Sequence, residues 1–332
     1  MESSSVEQLQ AAQGIRSAGK REKHDLGYAW KCIKRDRFYY LMAALPLTWF
    51  LIFRYLPMYG IIISFKDYQP WMGVKGILSF DDWVGLKHFK AFLSSVFFWN
   101  IMRNTLVISL QRLVWGFPMP IILALLINEI QHRAFKRTVQ SISYLPHFFS
   151  MVVVAGLLRA MISPNGGLLQ EVIMRLGISD QPISFLTDPR YFRSILVGTG
   201  IWQGVGWGSI IYLAAIANVN PELYEAAMVD GANKFQRIWY ITLPSISYAI
   251  AITLIFRIGG LLNAGFGQIL LLYSPSVYQV ADIIDTYVYR NGLMGMRYSF
   301  GAAVGLFKSV IALLLLIISN RVARRVGQPG IW

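Results

Sequence analysis

Six long apolar stretches joined by polar connections dominate this chain, at roughly residues 39–65, 103–128, 140–162, 194–218, 245–272 and 300–320. About 20 apolar residues in a helix match the hydrocarbon thickness of a bilayer. Inside lipid, only helices and closed barrels satisfy all their backbone polar groups. The fourth and fifth stretches are too poor in polar residues to read as soluble loops. Only 14% of the 332 residues are charged, against about 25% in soluble domains. The expectation is an all-α membrane protein with six transmembrane helices in one membrane domain, residues 39–320. Residues 1–38 form a polar N-terminal segment, its first 20 or so residues reading as disordered, and 321–332 a basic tail. No signal peptide is read at the N-terminus, because the first apolar run is too long for an h-region.

Basic residues set the orientation. Lys31, Lys34, Arg35 and Arg37 precede the first span, Arg133, Lys136 and Arg137 lie between the second and third, and Arg321, Arg324 and Arg325 follow the last. Six spans put all three groups on one side, which the positive-inside rule makes cytoplasmic, with both termini inside. The opposite loops, 66–98, 163–192 and 273–299, still hold Lys66, Lys75, Lys87, Lys90, Arg175 and Arg190, so the bias is moderate. Trp71, Trp83, Trp99 and Tyr191 suit an outer interfacial belt. The net charge of +14 belongs to these flanks and not to a nucleic-acid surface. The single cysteine, Cys32, forms no intramolecular disulfide, and His24, His88, His132 and His147 lack metal-ligand spacing.

The connection between the fourth and fifth stretches, residues 220–244, is no ordinary linker. Asn220 suits an N-cap and Pro221 the first helical position. Gly231 breaks that helix by taking a left-handed conformation. Asn233 caps a second helix with Gln236 three residues on, and Phe235, Ile238 and Trp239 form its apolar stripe. Leu243-Pro244 is expected to end it at the membrane. The outcome is a helix–turn–helix on the cytoplasmic face, offering alanines and the acidic Glu225 and Asp230 to a basic groove.

Glu225-Ala226-Ala227, Gly231 and Ile241-x-Leu243-Pro244 fill every fixed position of a signature loop. On these residues the chain resembles permease subunits of type I binding-protein-dependent ABC importers. Phe53-Arg54-Tyr55-Leu56-Pro57-Met58-Tyr59-Gly60, Ser143-Tyr144-Leu145-Pro146-His147-Phe148 and Val280-Ala281-Asp282 are similar to the carbohydrate-uptake branch, and within it to polysaccharide permeases importing large or acidic oligosaccharides. The resemblance implies a bacterial cytoplasmic (inner) membrane and alternating access. It implies two ATPase subunits carrying ATP and Mg, a second and different permease, and an extracytoplasmic solute-binding protein delivering sugar. It also implies that Glu225, Ala226, Ala227, Asp230 and Gly231 dock on the ATPase, while Phe235, Ile238, Ile241, Leu243 and Pro244 fasten the loop to the membrane helices.

Candidates for a sugar path are Trp202, Gln203, Trp207 and Tyr212 in the fourth span, with Asn263 and Gln268 in the fifth. Aromatic faces take sugar C–H surfaces and amides take hydroxyls; the alternative is packing and hydrogen bonding between helices. Embedded cations snorkel, pair or face a wet cavity. Arg103 and Arg159 read as snorkelling; Arg257 and Lys308 lie deeper and are candidates to attract uronate carboxylates. Residues 280–289 read as a short amphipathic outer helix. On it Asp282 and Asp285 are solvated, pair with Arg290, or contact the binding protein.

The chain has no G-x-x-x-x-G-K-[ST] phosphate loop and no plausible catalytic triad or acid–base pair. It is therefore expected to bind no cofactor itself and not to be an enzyme. Two rivals fit less well. An ion-coupled secondary sugar transporter needs intramembrane carboxylates, and a membrane glycan-processing enzyme needs paired outer acids.

Overall fold

The computed structural model describes residues 34–79, 81–328 and 330–331; Cys32, His24, Lys31 and the N-terminal segment up to residue 33 lie outside the described residues. The described residues fall into two units, divided between Gly60 and Ile61.

In the first unit, α1 (Arg37–Phe50) runs on through a wide π turn, Leu51–Tyr55, into a last turn at Leu56–Met58. None of these residues is buried, and Leu45, Leu47, Phe53 and Leu56 are all largely exposed. A helix that is apolar all round and exposed to this degree belongs in lipid. The π turn sits immediately before Leu56-Pro57. Proline has no N–H and crowds the carbonyl four residues back, and the wider turn relieves that crowding without stopping the helix.

Among its described residues the second unit consists of helices and their connecting turns, with one isolated bridge between Lys66 and Trp83. It begins with the short helices α2 (Gly73–Leu78) and α3 (Lys87–Leu93). Next come α4 (Phe98–Asn128), α5 (Arg133–Phe148) and α6 (Met151–Ile162). They are followed by α7 (Leu168–Arg175), α8 (Pro189–Ala217) and α9 (Pro221–Val229). A bent pair follows, α10 (Lys234–Ser245) and α11 (Ser247–Gly259). Three short helices, α12 (Phe266–Leu272), α13 (Tyr278–Ala281) and α14 (Ile284–Val288), precede the long α15 (Tyr298–Arg325).

Arg37–Phe65, α4, α8 and α15 are each long and apolar enough to cross a membrane, and six crossings result when each of the two bent pairs counts as one span. Those bent pairs correct the simple reading. The third stretch is not one rod: α5 and α6 meet at 101°, because Ser150 starts a new helix by accepting from Val153 N. The fifth ends at Gly259, and α12 begins afresh after Gly265, whose φ of 86° is left-handed. Leu243-Pro244 does not end its helix. A second π turn, Ile238–Thr242, again precedes the proline, and the bend of 63° comes at Ile246. The amphipathic helix expected over 280–289 is broken at Asp282–Ile283, where Thr286 Oγ1 accepts from Ile283 N at 2.9 Å.

Three apolar clusters hold the unit together. Phe92, Phe98, Ile101, Ile284, Phe300 and Val304 form one, joining α3, α14 and the starts of α4 and α15. Ile108, Ala155, Phe192, Leu196, Ile269 and Ala281 form a second. Ile121, Ala124, Tyr212, Ala215, Ile216 and Ile246 form a third, where α8 ends and α11 begins. Each fully buried aliphatic or aromatic side chain contributes about 1.5–3 kcal/mol where water is the reference; within lipid, close packing takes over that role. Lys66, read as one of the outer-loop cations, is only 1% exposed. Its Nζ donates to Gly76 O and Ser79 O, both at 2.6 Å, so it satisfies the carbonyl end of α2.

Candidate functional site

The helix–turn–helix at 220–245 forms from its caps outward. Asn220 Oδ1 accepts from Glu222 N at 3.1 Å and Pro221 opens α9. Gly231, at φ 79°, reverses the chain while Ala232 N donates to Ala227 O at 2.8 Å. A reciprocal capping box joins Asn233 and Gln236 at 2.9 and 2.8 Å. The two arms are pinned by the Tyr224 and Thr242 hydroxyls, 3.0 Å apart, and Lys234 reaches Glu129 at the end of α4 at 3.9 Å.

Glu225, Ala226, Asp230 and Gly231 are exposed and Ala227 is half-buried. Leu223, Met228, Val229 and Trp239 are exposed beside them, an apolar patch of the kind that marks a protein partner. Ile238, Ile241 and Leu243 are half-buried, and Leu243 packs on the third cluster. Pro244 is exposed. Phe235 does not fasten the loop within this unit. It is 72% exposed, because the turn directs it outward to stack on Trp239.

Between α4, α8 and α11 lie three clefts of about 320, 240 and 80 Å³, and Arg257 lines all three. Trp207, Tyr212 and Thr253 line the first, with the Tyr212 and Thr253 hydroxyls 2.8 Å apart. Trp207 is stacked on His147 with ring centroids 4.7 Å apart. Asn263, Ser109 and Arg112 line the second. The other path candidates are placed differently. Trp202 is exposed and lines none of these clefts, and Gln203 donates to Phe149 O at 3.1 Å. Gln268 is buried, with both ends of its amide engaged: Oε1 accepts from Arg112 at 2.5 Å and Nε2 donates to Leu196 O at 3.2 Å.

The charge pattern of the clefts is one-sided. Arg257 makes no hydrogen bond or ion pair among the described residues, and the buried Arg112 Nε and Ser109 Oγ have no partner. The Arg112 guanidinium packs where a Cβ on Gly265 would be, so a glycine there provides its seat. Arg112 and Ser109 were the residues missed as path candidates. An arginine at the centre of an apolar helix was the signal, since embedded cations are retained for function by default.

Near the start of α8 two buried or half-buried carboxylates are each matched by a cation. Asp282, 5% exposed, is held by Arg290 at 2.6 Å and by the Thr286 hydroxyl at 2.7 Å. Burial by itself would lower Arg290, but the hydrogen bond and charge of Asp282 outweigh it and hold the guanidinium above its ordinary value. Asp285 takes Lys308 on both oxygens at 2.7 Å. Neither carboxylate is thus a free surface charge, and Lys308 is no free uronate attractor. Each is neutralised because the broken helix folds Asp282 and Asp285 back toward cations. Arg193 donates to Asn104 Oδ1 at 2.7 Å and to Val280 O at 3.0 Å. Arg159 does not simply snorkel but donates to Leu271 O.

Residues 116–328 match the family described as binding-protein-dependent transport system inner membrane component. The chain belongs to this family. The permease is 43% identical to Protein LplB of Bacillus subtilis (strain 168), over 92% of this chain and 95% of that one. It is 42% identical to the polygalacturonan/rhamnogalacturonan transport system permease protein YteP of the same organism, over 90% and 91%. Among solved structures it is similar to a chain of a bacterial alginate ABC transporter in complex with an alginate pentasaccharide-bound periplasmic protein. That similarity has a TM-score of 0.83 and 43% identity, covering 91% of the permease and 99% of that chain.

Proposed function

We propose that this permease carries oligo- or polysaccharide, acidic saccharide included, into the cytoplasm by alternating access, driven by separate ATPase subunits that dock on α9. The capped helix–turn–helix carries the reading. Its Glu225-Ala226 face is exposed, its Gly231 turn is left-handed, and its second arm runs into α11, which bears Arg257. A push on α9 therefore reaches the clefts through one bent, continuous element. Two ATPases holding Mg-ATP, a second and different permease, and an extracytoplasmic binding protein complete the machine. The alginate transporter seen with its periplasmic protein supports that assembly. Both termini then face the cytoplasm, residues 39–320 act as the membrane domain, and Asp282 and Asp285 shape the outer surface without presenting free charge.

The saccharide is supported by the relatives' substrates and by the clefts, where Trp207 offers a ring face and Arg112 and Arg257 offer cations to carboxylates. An ion-coupled carrier is disfavoured because, among the described residues, no Asp or Glu lies inside any candidate span. The test is uptake of labelled tetragalacturonate into proteoliposomes holding the assembled complex. ATP-dependent uptake that collapses in Gly231→Pro, with membrane insertion intact, is expected. Uptake indifferent to ATP and to Gly231 would replace the reading with a facilitator.

A further inference from the structure

A cavity of about 460 Å³ lies apart from the clefts around Arg257. It lies where α4 begins, beside α13, α14 and the turn after them, and its lining includes Phe97, Asn100, Tyr278, Gln279, Tyr287 and Arg290. Arg193, near the start of α8, is tied to this region through Val280 O, while α9 follows the end of α8. From Arg193 to Ala217 the helix rises about 36 Å at ~1.5 Å per residue, so cavity and coupling arms lie at opposite ends of the unit.

Three properties define what it accepts. Its walls are aromatic: Phe97 and Tyr287 have ring centroids 6.2 Å apart, and Tyr278 lies under the Arg290 guanidinium at 4.6 Å. Its charges cancel internally, since Arg290 is already committed to Asp282. Its backbone is fixed while two side-chain amides, the half-buried Asn100 and the exposed Gln279, stay open. Asn104 Nδ2 fixes the backbone carbonyls of Tyr278, Gln279 and Asp282, whereas the side-chain amides of Asn100 and Gln279 make no hydrogen bond among the described residues. A rigid pocket of about 300–1,000 Å³ with apolar walls and a few convergent polar groups is what a small organic ligand requires. Ring faces suit the C–H surface of a pyranose, and free amides both donate to and accept from hydroxyls.

We infer that this cavity is a second saccharide subsite, taking an uncharged pyranose unit at the end opposite the coupling arms and reading ring shape and hydroxyls, not charge. The inference rests on the saccharide reading above and adds to it a site that no carboxylate is needed to fill.

The test uses the full chain in nanodiscs, without ATP or partners, and saturation-transfer difference NMR. The probes are tetragalacturonate and its carboxyl-reduced neutral form. Both should receive saturation, and Asn100→Ala and Gln279→Ala should each weaken the neutral probe's affinity about fivefold to tenfold, as loss of one or two neutral hydrogen bonds predicts. Neither amide supports the fold, so misfolding does not mimic the effect. No transfer to the neutral probe, or unchanged affinity in both variants, overturns the inference. A second arm adds the binding protein: variants that keep the neutral probe's affinity and lose only capture of that protein also overturn the inference, making the cavity a protein-docking surface. Because no coupling is involved, failure of the ATP-driven reading leaves this result standing, and the converse holds too.

Discussion

Asp282 and Arg257 lie in parts of the molecule that treat charge in opposite ways. Around the start of α8, Asp282 and Asp285 each hold a cation, and Arg193 is taken up by a side-chain amide and a carbonyl. Around its middle, Arg257 and the Nε of Arg112 face clefts with no carboxylate among the described residues to meet them. A paired buried charge is structural: removing one partner strands the other. An unpaired cation in a membrane helix costs about 2.5–3.5 kcal/mol, so its retention points to a ligand. The first region is built to stay and the second to receive.

Mutations at the two places should separate those roles. The largest effect on stability is expected for Asp282→Ala, which leaves Arg290 without its counter-ion. Breaking such a pair costs about 3–5 kcal/mol, toward the low end here because Arg290 is one-third exposed. Thermal unfolding in detergent measures it; a loss below about 1 kcal/mol would mean the pair is ornamental. Arg257→Gln should do the reverse. Stability holds or rises, while uptake of tetragalacturonate falls about 10- to 100-fold, matching the ~1.5–3 kcal/mol of a charge-assisted hydrogen bond. Equal loss for the carboxyl-reduced probe would show that shape, not charge, is read there.

The smallest effect concerns Asp67, which the hydrogen bond from Lys87 holds below its ordinary 3.8, burial opposing. A lowered folded-state value stabilises above the unfolded one, so this contribution is full above about pH 5. It fades as the pH falls through the folded-state value. With the carboxylate 44% exposed, it is worth under about 1 kcal/mol; Asp67→Asn should flatten the acid limb of a stability–pH profile by that much.

The helical spans and the helix–turn–helix at 220–245 were legible because their causes are local. Asn220, Gly231, Asn233 and Gln236 act through bonds within five residues, and the structure draws those bonds as the spacing requires. The seat of Arg112 was not legible. It joins α4 to Gly265 and Gln268, 156 residues apart for the latter pair, and no window of sequence displays such a contact. Asp282 shows the same limit: spacing left it solvated or paired, and only the break at Ile283 decides for burial. Prolines misled at the helix ends, since Pro244 reads as a stop, whereas the π turn before it lets the helix pass.

That turn is also a matter of phase. A π turn holds one residue more than an α turn, and each residue of an α-helix advances the side chains by about 100°. The extra residue at Ile238–Thr242 therefore widens the turn without passing a 100° rotation on to the helix beyond it. Deleting one residue there would close it to an ordinary α turn, crowding Pro244 but leaving Phe235 and Trp239 at nearly the same azimuth, whereas a deletion elsewhere in α10 would swing the residues before it by about 100°. The wide turn is a spare link in the helix: it holds a residue that the phase does not count.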